Sequence, residues 1–208
     1  MNDPTAAERL NALLSQAGME PLPPEQLAGF LAYLSLILRW NARTNLTAIC
    51  DEEGILARHF LECIACARAL PAGIATLLDF GSGAGLPGIP IALCRPEIAV
   101  TLAESQGKKA AFLREVVRTL GLGVTVHASR AELLGTTFDS VVLRAVDKML
   151  EAVAAAAQRV STAGWLALMT THADLAELHR AAGGDFSWET PVALPGSDYR
   201  ILSLGRRG

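Results

Sequence analysis

The spacing of apolar residues predicts three helices in the first seventy residues. Apolar positions within residues 10–14 mark a short helix that ends at Gly18. A stronger apolar stripe recurs with a period of 3.6 over residues 27–38, which is typical of an amphipathic helix. A third helical pattern runs over about residues 52–70. We therefore expect a helical N-terminal subdomain over residues 1–72.

At residue 74 the pattern changes to short apolar runs that alternate with helical patterns. The predicted strands are residues 74–80, 98–103, 124–127, 138–143 and 164–169, and the predicted helices are residues 107–120 and 152–160. This alternation predicts an α/β fold with a doubly wound, mostly parallel sheet. The tail carries two more strand-like runs, 188–194 and 199–204, around Pro195-Gly196-Ser197-Asp198. They predict a C-terminal antiparallel hairpin at one sheet edge, and residues 73–208 form the second predicted domain.

The composition fits a folded domain and argues against several classes of protein. Hydrophobic residues make up 51% of the 208 residues and charged residues 19%, which excludes disorder as the main feature. The formal net charge is −3, whereas proteins that coat nucleic acid are usually strongly basic, so a polyanionic partner must meet a local basic patch. No apolar run approaches the length of a membrane span, and Met1-Asn2-Asp3-Pro4 lacks a secretory signal. We expect a soluble cytoplasmic protein with no membrane association.

Cys63 and Cys66 have the C-x-x-C spacing that redox and zinc sites use. They lie within a helical pattern, and neither a second cysteine pair nor a histidine pair accompanies them. We therefore expect these two residues, together with Cys50 and Cys94, to be reduced and mostly buried, and we expect no metal site.

A glycine-rich turn after the first predicted strand carries the strongest chemical signal. Gly83 and Gly85 lie within a G-x-G-x-x-G string, which by itself is a weak fingerprint of dinucleotide binding. Asp79, directly before the turn, would repel a pyrophosphate, whereas Glu104 at the end of the second strand offers an acceptor for ribose hydroxyls. Two acids at neighbouring strand ends favour the cationic cofactor S-adenosylmethionine. We expect Asp79, Gly83, Gly85 and Glu104 to bind it.

Polar residues also follow the third and fourth predicted strands. Residues 129–132 (Ser-Arg-Ala-Glu) stand where the adenine of such a cofactor would lie. Arg144 ends an otherwise apolar strand, where an unpaired arginine is costly, and we favour a role in the site over a structural ion pair. Lys109 falls on the apolar arc of its helix but in the first turn, which predicts a position at the rim of the pocket. His59 is better interpreted as a hydrogen-bonded histidine than as a catalytic one.

Seven strings, in order, resemble the ribosomal RNA small-subunit methyltransferase G family, also called glucose-inhibited division protein B. They are R-W-N-A-R-T-N-L-T (39–47), A-R-H-F-L-E (57–62), D-F-G-S-G-A-G-L-P-G-I-P (79–90), R-P-E (95–97), E-S-Q-G-K-K-A-A-F-L (104–113), S-R-A-E (129–132) and F-D-S-V-V-L-R-A (138–145). The resemblance covers about residues 25–145. It implies a Rossmann-like class I methyltransferase that uses S-adenosylmethionine to methylate guanine N7 in the decoding region of 16S ribosomal RNA.

The resemblance also implies roles for individual residues. Carried over by position, the cofactor contacts are Gly81, Leu86, Ala131, Glu132 and Arg144. The candidates for RNA contact are Arg43, Arg58, Lys108 and Lys109. No catalytic side chain is assigned, although Arg144 is suspected of positioning, and Met169-Thr170 replaces a Lys-Gly pair that is common in the family. We expect a monomer whose partner is 16S ribosomal RNA or the small ribosomal subunit.

Three other functions stay open on the residues themselves. A small-molecule methyltransferase would share the cofactor site but should lack the basic and aromatic strings upstream of it. A nicotinamide-dependent dehydrogenase would share the G-x-G-x-x-G string but should not have Asp79 before it. A nucleotide-binding module without enzymatic activity is the third alternative.

Overall fold

The structure is a computed structural model that describes residues 4–197 and 199–208. Met1-Asn2-Asp3 and Asp198, the last residue of the predicted tail turn, lie outside the described residues. Within the described part of the chain, no helix combines the length and the apolar character that crossing a membrane requires.

The N-terminal helices follow the predicted pattern. Helix α1 (Ala6–Gln16) begins with a capping box in which Thr5 and Glu8 exchange hydrogen bonds, and α2 (Pro24–Asn41) has proline at its first position. The predicted third helix is a continuous helical run of α3 (Glu52–Gly54), a π-helical turn (Ile55–Phe60) and α4 (Leu61–Ala69).

The strands form one sheet with the order β3-β2-β1-β4-β5-β8-β6, and β7 pairs with β8. They are β1 (Thr76–Phe80), β2 (Ala99–Ala103), β3 (Thr125–His127), β4 (Phe138–Arg144), β5 (Val160–Thr171), β6 (Phe186–Trp188), β7 (Val192–Ala193) and β8 (Arg200–Arg207). Strands β1 to β5 pair in parallel, and β8 is antiparallel to β5, β6 and β7. The mostly parallel sheet with a C-terminal antiparallel hairpin is confirmed.

The remaining helices are α5 (Gly88–Cys94), α6 (Gly107–Leu120), α7 (Met149–Ala157) and α8 (Leu175–Ala182). Helix α6 has the predicted bounds, but α7 begins and ends three residues before the predicted 152–160, because Val160 already pairs with Phe138 in the sheet. Helix α8 was not predicted. The predicted strand 188–194 is wrong in detail, since it divides into β6 and β7 around Pro191, which cannot donate to a strand ladder.

The core has two layers, one on each face of the sheet. Alternate strand residues face opposite sides, so Leu77 joins one apolar cluster and Leu78 the other. The cluster that contains Leu77 also contains Phe30 and Phe60 of the N-terminal helices and Phe112 of α6. The N-terminal helices are thereby packed against one face of the sheet, and their loops reach its carboxyl edge. The division into domains at residues 72 and 73 stays a prediction.

Candidate active site

A cleft of about 610 Å³ lies at the carboxyl edge of the sheet. Most of its lining comes from the segments that follow the four strands β1 to β4 and from one loop of the helical region, and Lys109, His59 and residues 151–152 complete it. These segments contribute residues 80–84 and Leu86, residues 103–106, residues 129–132, residues 144–148, and residues 46–48. Open α/β sheets bind ligands at this edge, outside the carboxyl ends of the strands.

The glycines of the turn after β1 serve two different purposes. Gly83 lines the cleft with φ +58°, and a Cβ atom there would meet nothing nearer than the Gly81 carbonyl oxygen at 4.0 Å. Gly85 has φ +90°, and a Cβ atom there would lie 2.8 Å from Ile89 and 3.0 Å from the Tyr33 hydroxyl. Gly83 therefore leaves room for a ligand, whereas Gly85 lies against the core and does not line the cleft.

Asp79 is also behind the cleft wall. Its side chain is only 1% exposed, and Oδ2 accepts a hydrogen bond from the backbone N–H of Gly88 at 2.9 Å, at the start of α5. Oδ1 is buried without a hydrogen-bond partner among the described residues. Burial raises the pKa of Asp79 to about 7, against the opposing effect of the Gly88 hydrogen bond. Asp79 thus shapes the turn, and it does not belong to the cleft lining.

Glu104 does line the cleft, at the end of β2. Its Oε2 accepts from the Gly83 N–H at 2.9 Å, and Oε1 accepts from the Gln106 N–H at 2.6 Å. Each carboxylate oxygen can accept more than one hydrogen bond. Glu104 therefore fixes the glycine turn to the end of β2 and still has acceptor capacity for a ligand hydroxyl.

Arg144 ends β4, lines the cleft and is ion-paired. Its Nη2 donates to Glu62 Oε2 at 2.9 Å, and the Glu62 side chain is fully buried. The same Nη2 lies 3.0 Å from Nδ1 of His59. The two interpretations weighed for Arg144 are therefore compatible, because one guanidinium both forms a buried ion pair and faces the cleft. Sequence reasoning did not single out Glu62, whose only signal is an acid within an apolar helical run.

Four other predicted cofactor residues also line the cleft. Gly81 and Leu86 line the cleft after β1, and Ala131 and Glu132 line it after β3, in a single turn of 3-10 helix (Ala131–Leu133). Of the cofactor set, only Asp79 and Gly85 are outside the lining.

The structure does not bring the four predicted RNA contacts together. Lys109 lines the cleft, whereas Lys108 and Arg58 are exposed outside it. Arg43 lines a separate groove of about 420 Å³ beside Trp40. Lys109 is thus the one member of the set that a ligand in the cleft can reach directly.

The cysteines are free thiols in different environments. Cys63 and Cys66 are buried, Cys94 is half-buried and Cys50 is exposed. Burial raises the pKa of Cys63 to about 12, which keeps this thiol protonated and unreactive. Among the residues that the structure describes, no group of three His, Cys, Asp or Glu side chains could hold a metal ion.

Two loops are among the parts of the cleft lining that sequence reasoning missed. Residues 46–48 come from the loop after α2, and residues 145–148 follow Arg144 directly. Ala145 and Lys148 both have φ +51°, an uncommon backbone conformation for residues other than glycine. Position after β4 was a usable signal for the second segment, but only tertiary packing brings the first one to the cleft.

The chain shares its fold with solved methyltransferases. It superposes on the mitomycin 7-O-methyltransferase with a TM-score of 0.61 at 14% identity, covering 99% of this chain and 74% of that one. A predicted O-methyltransferase from Agrobacterium tumefaciens gives a TM-score of 0.60 at 22% identity, covering 71% of this chain and 80% of that one. At these identities the likeness extends to the fold alone.

Sequence comparison identifies the family of the chain. The family model described as GidB, rRNA small subunit methyltransferase G, matches residues 26–185. The Ribosomal RNA small subunit methyltransferase G of Xanthomonas euvesicatoria is 38% identical over 216 residues, covering 100% of both chains. The protein of that name from Roseiflexus sp. strain RS-1 is 40% identical over 195 residues, covering 87% of this chain and 83% of the relative. The chain belongs to the rRNA small subunit methyltransferase G family.

Proposed function

We propose that this protein transfers the methyl group of S-adenosylmethionine to N7 of a guanine in the decoding region of 16S ribosomal RNA. Family membership supports a methyltransferase that acts on ribosomal RNA of the small subunit. The choice of N7 rests on the resemblance of the seven strings. The observation that supports the cofactor assignment is the hydrogen bond that the Gly83 N–H donates to Glu104, which puts an acid and an open glycine turn on one wall of the cleft.

The cleft lining offers contacts that suit an adenine nucleoside. Gly83 leaves room for close approach to the backbone, and Glu104 is an acceptor at the strand end where folds of this kind bind ribose. Ala131 and Glu132 after β3 would border the adenine. The residues assigned to hold the cofactor are Gly81, Gly83, Leu86, Glu104, Ala131, Glu132 and Arg144. Asp79 and Gly85 act on it indirectly, by fixing the shape of the turn.

The reaction makes small demands on side-chain chemistry. S-adenosylmethionine supplies an electrophilic methyl group on a sulfonium, and guanine N7 has a lone pair and no proton. No general base is therefore needed, and the protein contributes mainly by positioning the reactants and excluding water. The Arg144 guanidinium is a cation at neutral pH and is paired with Glu62, so its role is to position a reactant and not to transfer a proton.

The substrate has to present N7 outside a regular helix. The major groove of paired RNA is too deep and narrow for side chains to enter, so the target guanine must lie in a loop or be turned out of the stack. Lys109 at the cleft can contact a nearby phosphate, and the exposed Arg43, Arg58 and Lys108 are proposed as more distant contacts. We propose that the protein acts as a monomer in the cytoplasm.

Binding and transfer experiments separate this proposal from its alternatives. Calorimetry with S-adenosylmethionine and with NAD should show binding of the first alone, and tight NAD binding without S-adenosylmethionine binding would overturn the proposal. Transfer of labelled methyl groups should be observed with unmethylated small ribosomal subunits or their RNA. Labelling of small molecules and not of RNA would favour a small-molecule methyltransferase.

A further inference from the structure

A short series of hydrogen bonds connects the N-terminal helical region to the cleft. Thr47 Oγ1 lies 2.7 Å from Nε2 of His59, and Nδ1 of His59 lies 3.0 Å from Nη2 of Arg144. The same Nη2 donates to the buried Glu62 at 2.9 Å. Thr47, His59 and Arg144 all line the cleft, although they come from a loop, a π-helical turn and the end of a strand.

The donors and acceptors in this series determine the form of the imidazole. A guanidinium only donates, so Nδ1 of His59 must accept, and the proton of the neutral ring is on Nε2, which donates to Thr47. Burial, together with the positive charges of Arg144, Arg58 and Arg200, lowers the pKa of His59 to about 3. His59 is therefore uncharged at neutral pH and connects Thr47 to Arg144 through its two ring nitrogens.

The loop that contains Thr47 is held at a second point. Asn41 Oδ1 accepts from the N–H groups of Leu46 at 2.8 Å and Thr47 at 3.1 Å, and Asn41 Nδ2 donates to the Thr47 carbonyl oxygen at 3.1 Å. Asn41 fixes the backbone of the loop, and His59 fixes the Thr47 side chain. Residues 46–48 thus form an ordered wall of the cleft.

The sheet order locates this wall. The residues assigned to the cofactor nucleoside follow β1, β2 and β3, as Gly83, Glu104 and Ala131 do, and these strands lie on one side of the sheet centre. Strand β4 pairs with β1 on the opposite side, and Arg144 at its end is the one assigned cofactor residue that His59 contacts. The other six assigned cofactor residues follow β1, β2 and β3 and do not depend on His59, so cofactor affinity should change less than turnover. Residues 46–48 therefore border the half of the cleft that the nucleoside does not need.

We propose that Thr47 and His59 are positioning residues for the methyl acceptor. They hold Arg144 and residues 46–48 as the wall against which the acceptor, a planar purine base, is placed. This inference rests on the proposed function. It differs from a purely structural role because it predicts a loss of turnover without a matching loss of cofactor affinity.

The test compares variants of Thr47 in the full-length protein. Thr47→Val removes the hydroxyl at nearly constant volume, Thr47→Ala removes it without adding bulk should the valine variant not fold, and Thr47→Ser retains it. Thr44→Val is the matched control, because Thr44 lies in the same segment and its hydroxyl donates to the Trp40 carbonyl oxygen at 2.9 Å, away from His59. The assays are calorimetry with S-adenosylmethionine, and labelled methyl transfer to unmethylated small ribosomal subunits at saturating concentrations of both substrates.

Thr47→Val and Thr47→Ala should lower kcat about tenfold, which is the effect of about one lost hydrogen bond on the transition state. Both should bind S-adenosylmethionine within about twofold of the wild type, and Thr47→Ser and Thr44→Val should retain kcat. A wild-type kcat in both hydroxyl-free variants would overturn the inference. So would an equal loss of kcat and cofactor affinity, or a serine variant as slow as the valine variant. Absence of transfer by the wild-type protein would instead refute the proposed function.

Discussion

The buried neutral histidine of the cleft makes stability depend on pH in a calculable way. His59 is only 8% exposed, and its pKa of about 3 is set first by burial and then by neighbouring arginines. In the unfolded chain its pKa returns to about 6.5. Below that pH the unfolded chain binds a proton that the folded chain does not, so His59 favours unfolding increasingly as the pH falls from 6.5 toward 3.

The size of the effect follows from the two pKa values. Between pH 7.5 and pH 5, His59 should lower the free energy of unfolding by about 2 kcal/mol. Asp79 acts in the opposite direction over the same range. Its pKa is raised from 3.8 to about 7 by burial, so the folded chain takes up a proton first and gains stability by a comparable amount. The two effects largely cancel in the wild-type protein.

Because the two effects cancel in the wild type, we compare its free energy of unfolding with that of a variant that lacks one of the two groups. Urea unfolding of the wild type and of His59→Gln at pH 7.5 and at pH 5 gives the gap in unfolding free energy at each pH. Relative to His59→Gln, the wild type should lose about 2 kcal/mol of unfolding free energy between pH 7.5 and pH 5. Relative to Asp79→Asn, the wild type should gain unfolding free energy over the same pH change. A His59→Gln gap that does not change with pH would show that His59 has the same pKa in the folded and the unfolded chain.

Three further substitutions test the walls of the cleft. In urea unfolding, Gly85→Ala should lower the free energy of unfolding by about 1–3 kcal/mol, because its Cβ would crowd Tyr33 at a positive φ. Gly83→Ala should instead weaken S-adenosylmethionine binding, measured by calorimetry, more than it lowers stability. Glu104→Ala should weaken S-adenosylmethionine binding about tenfold or more in calorimetry, since the glycine turn loses its anchor. Tyr33→Phe should cost about 1–2 kcal/mol in urea unfolding, because the buried carbonyl oxygen of Ala84 loses its donor at 2.5 Å. Unchanged values for any of these variants would contradict the contacts described.

The main helices and strands could be predicted because the apolar periodicity that marks each of them lies within the element itself. The apolar periodicity gave α6 its observed bounds, and the alternation of runs predicted the parallel sheet. The pattern failed at α7, where the run from Ala152 to Ala157 is apolar throughout and has little periodic contrast to mark an end. It also failed to predict that Pro191 divides the tail strand.

The site residues that end strands could be predicted from the sequence. Glu104 and Arg144 end strands, and parallel strands bring their carboxyl ends to one cleft. The spacing of glycines cannot tell which side of a turn each one faces, and this is why Gly83 and Gly85 have different surroundings. The Glu62–Arg144 pair spans 82 positions, and only the packing of the helical region against the sheet creates it.

The most direct test of the account is the identity of the methylated nucleoside. The purified protein is incubated with labelled S-adenosylmethionine and unmethylated small ribosomal subunits, and the RNA is then digested to nucleosides that are separated and identified by mass. We expect label in 7-methylguanosine, at one guanine of the decoding region, with the amount limited to about one methyl group per subunit. Label in a different nucleoside, or binding of S-adenosylmethionine without any transfer to RNA, would contradict it.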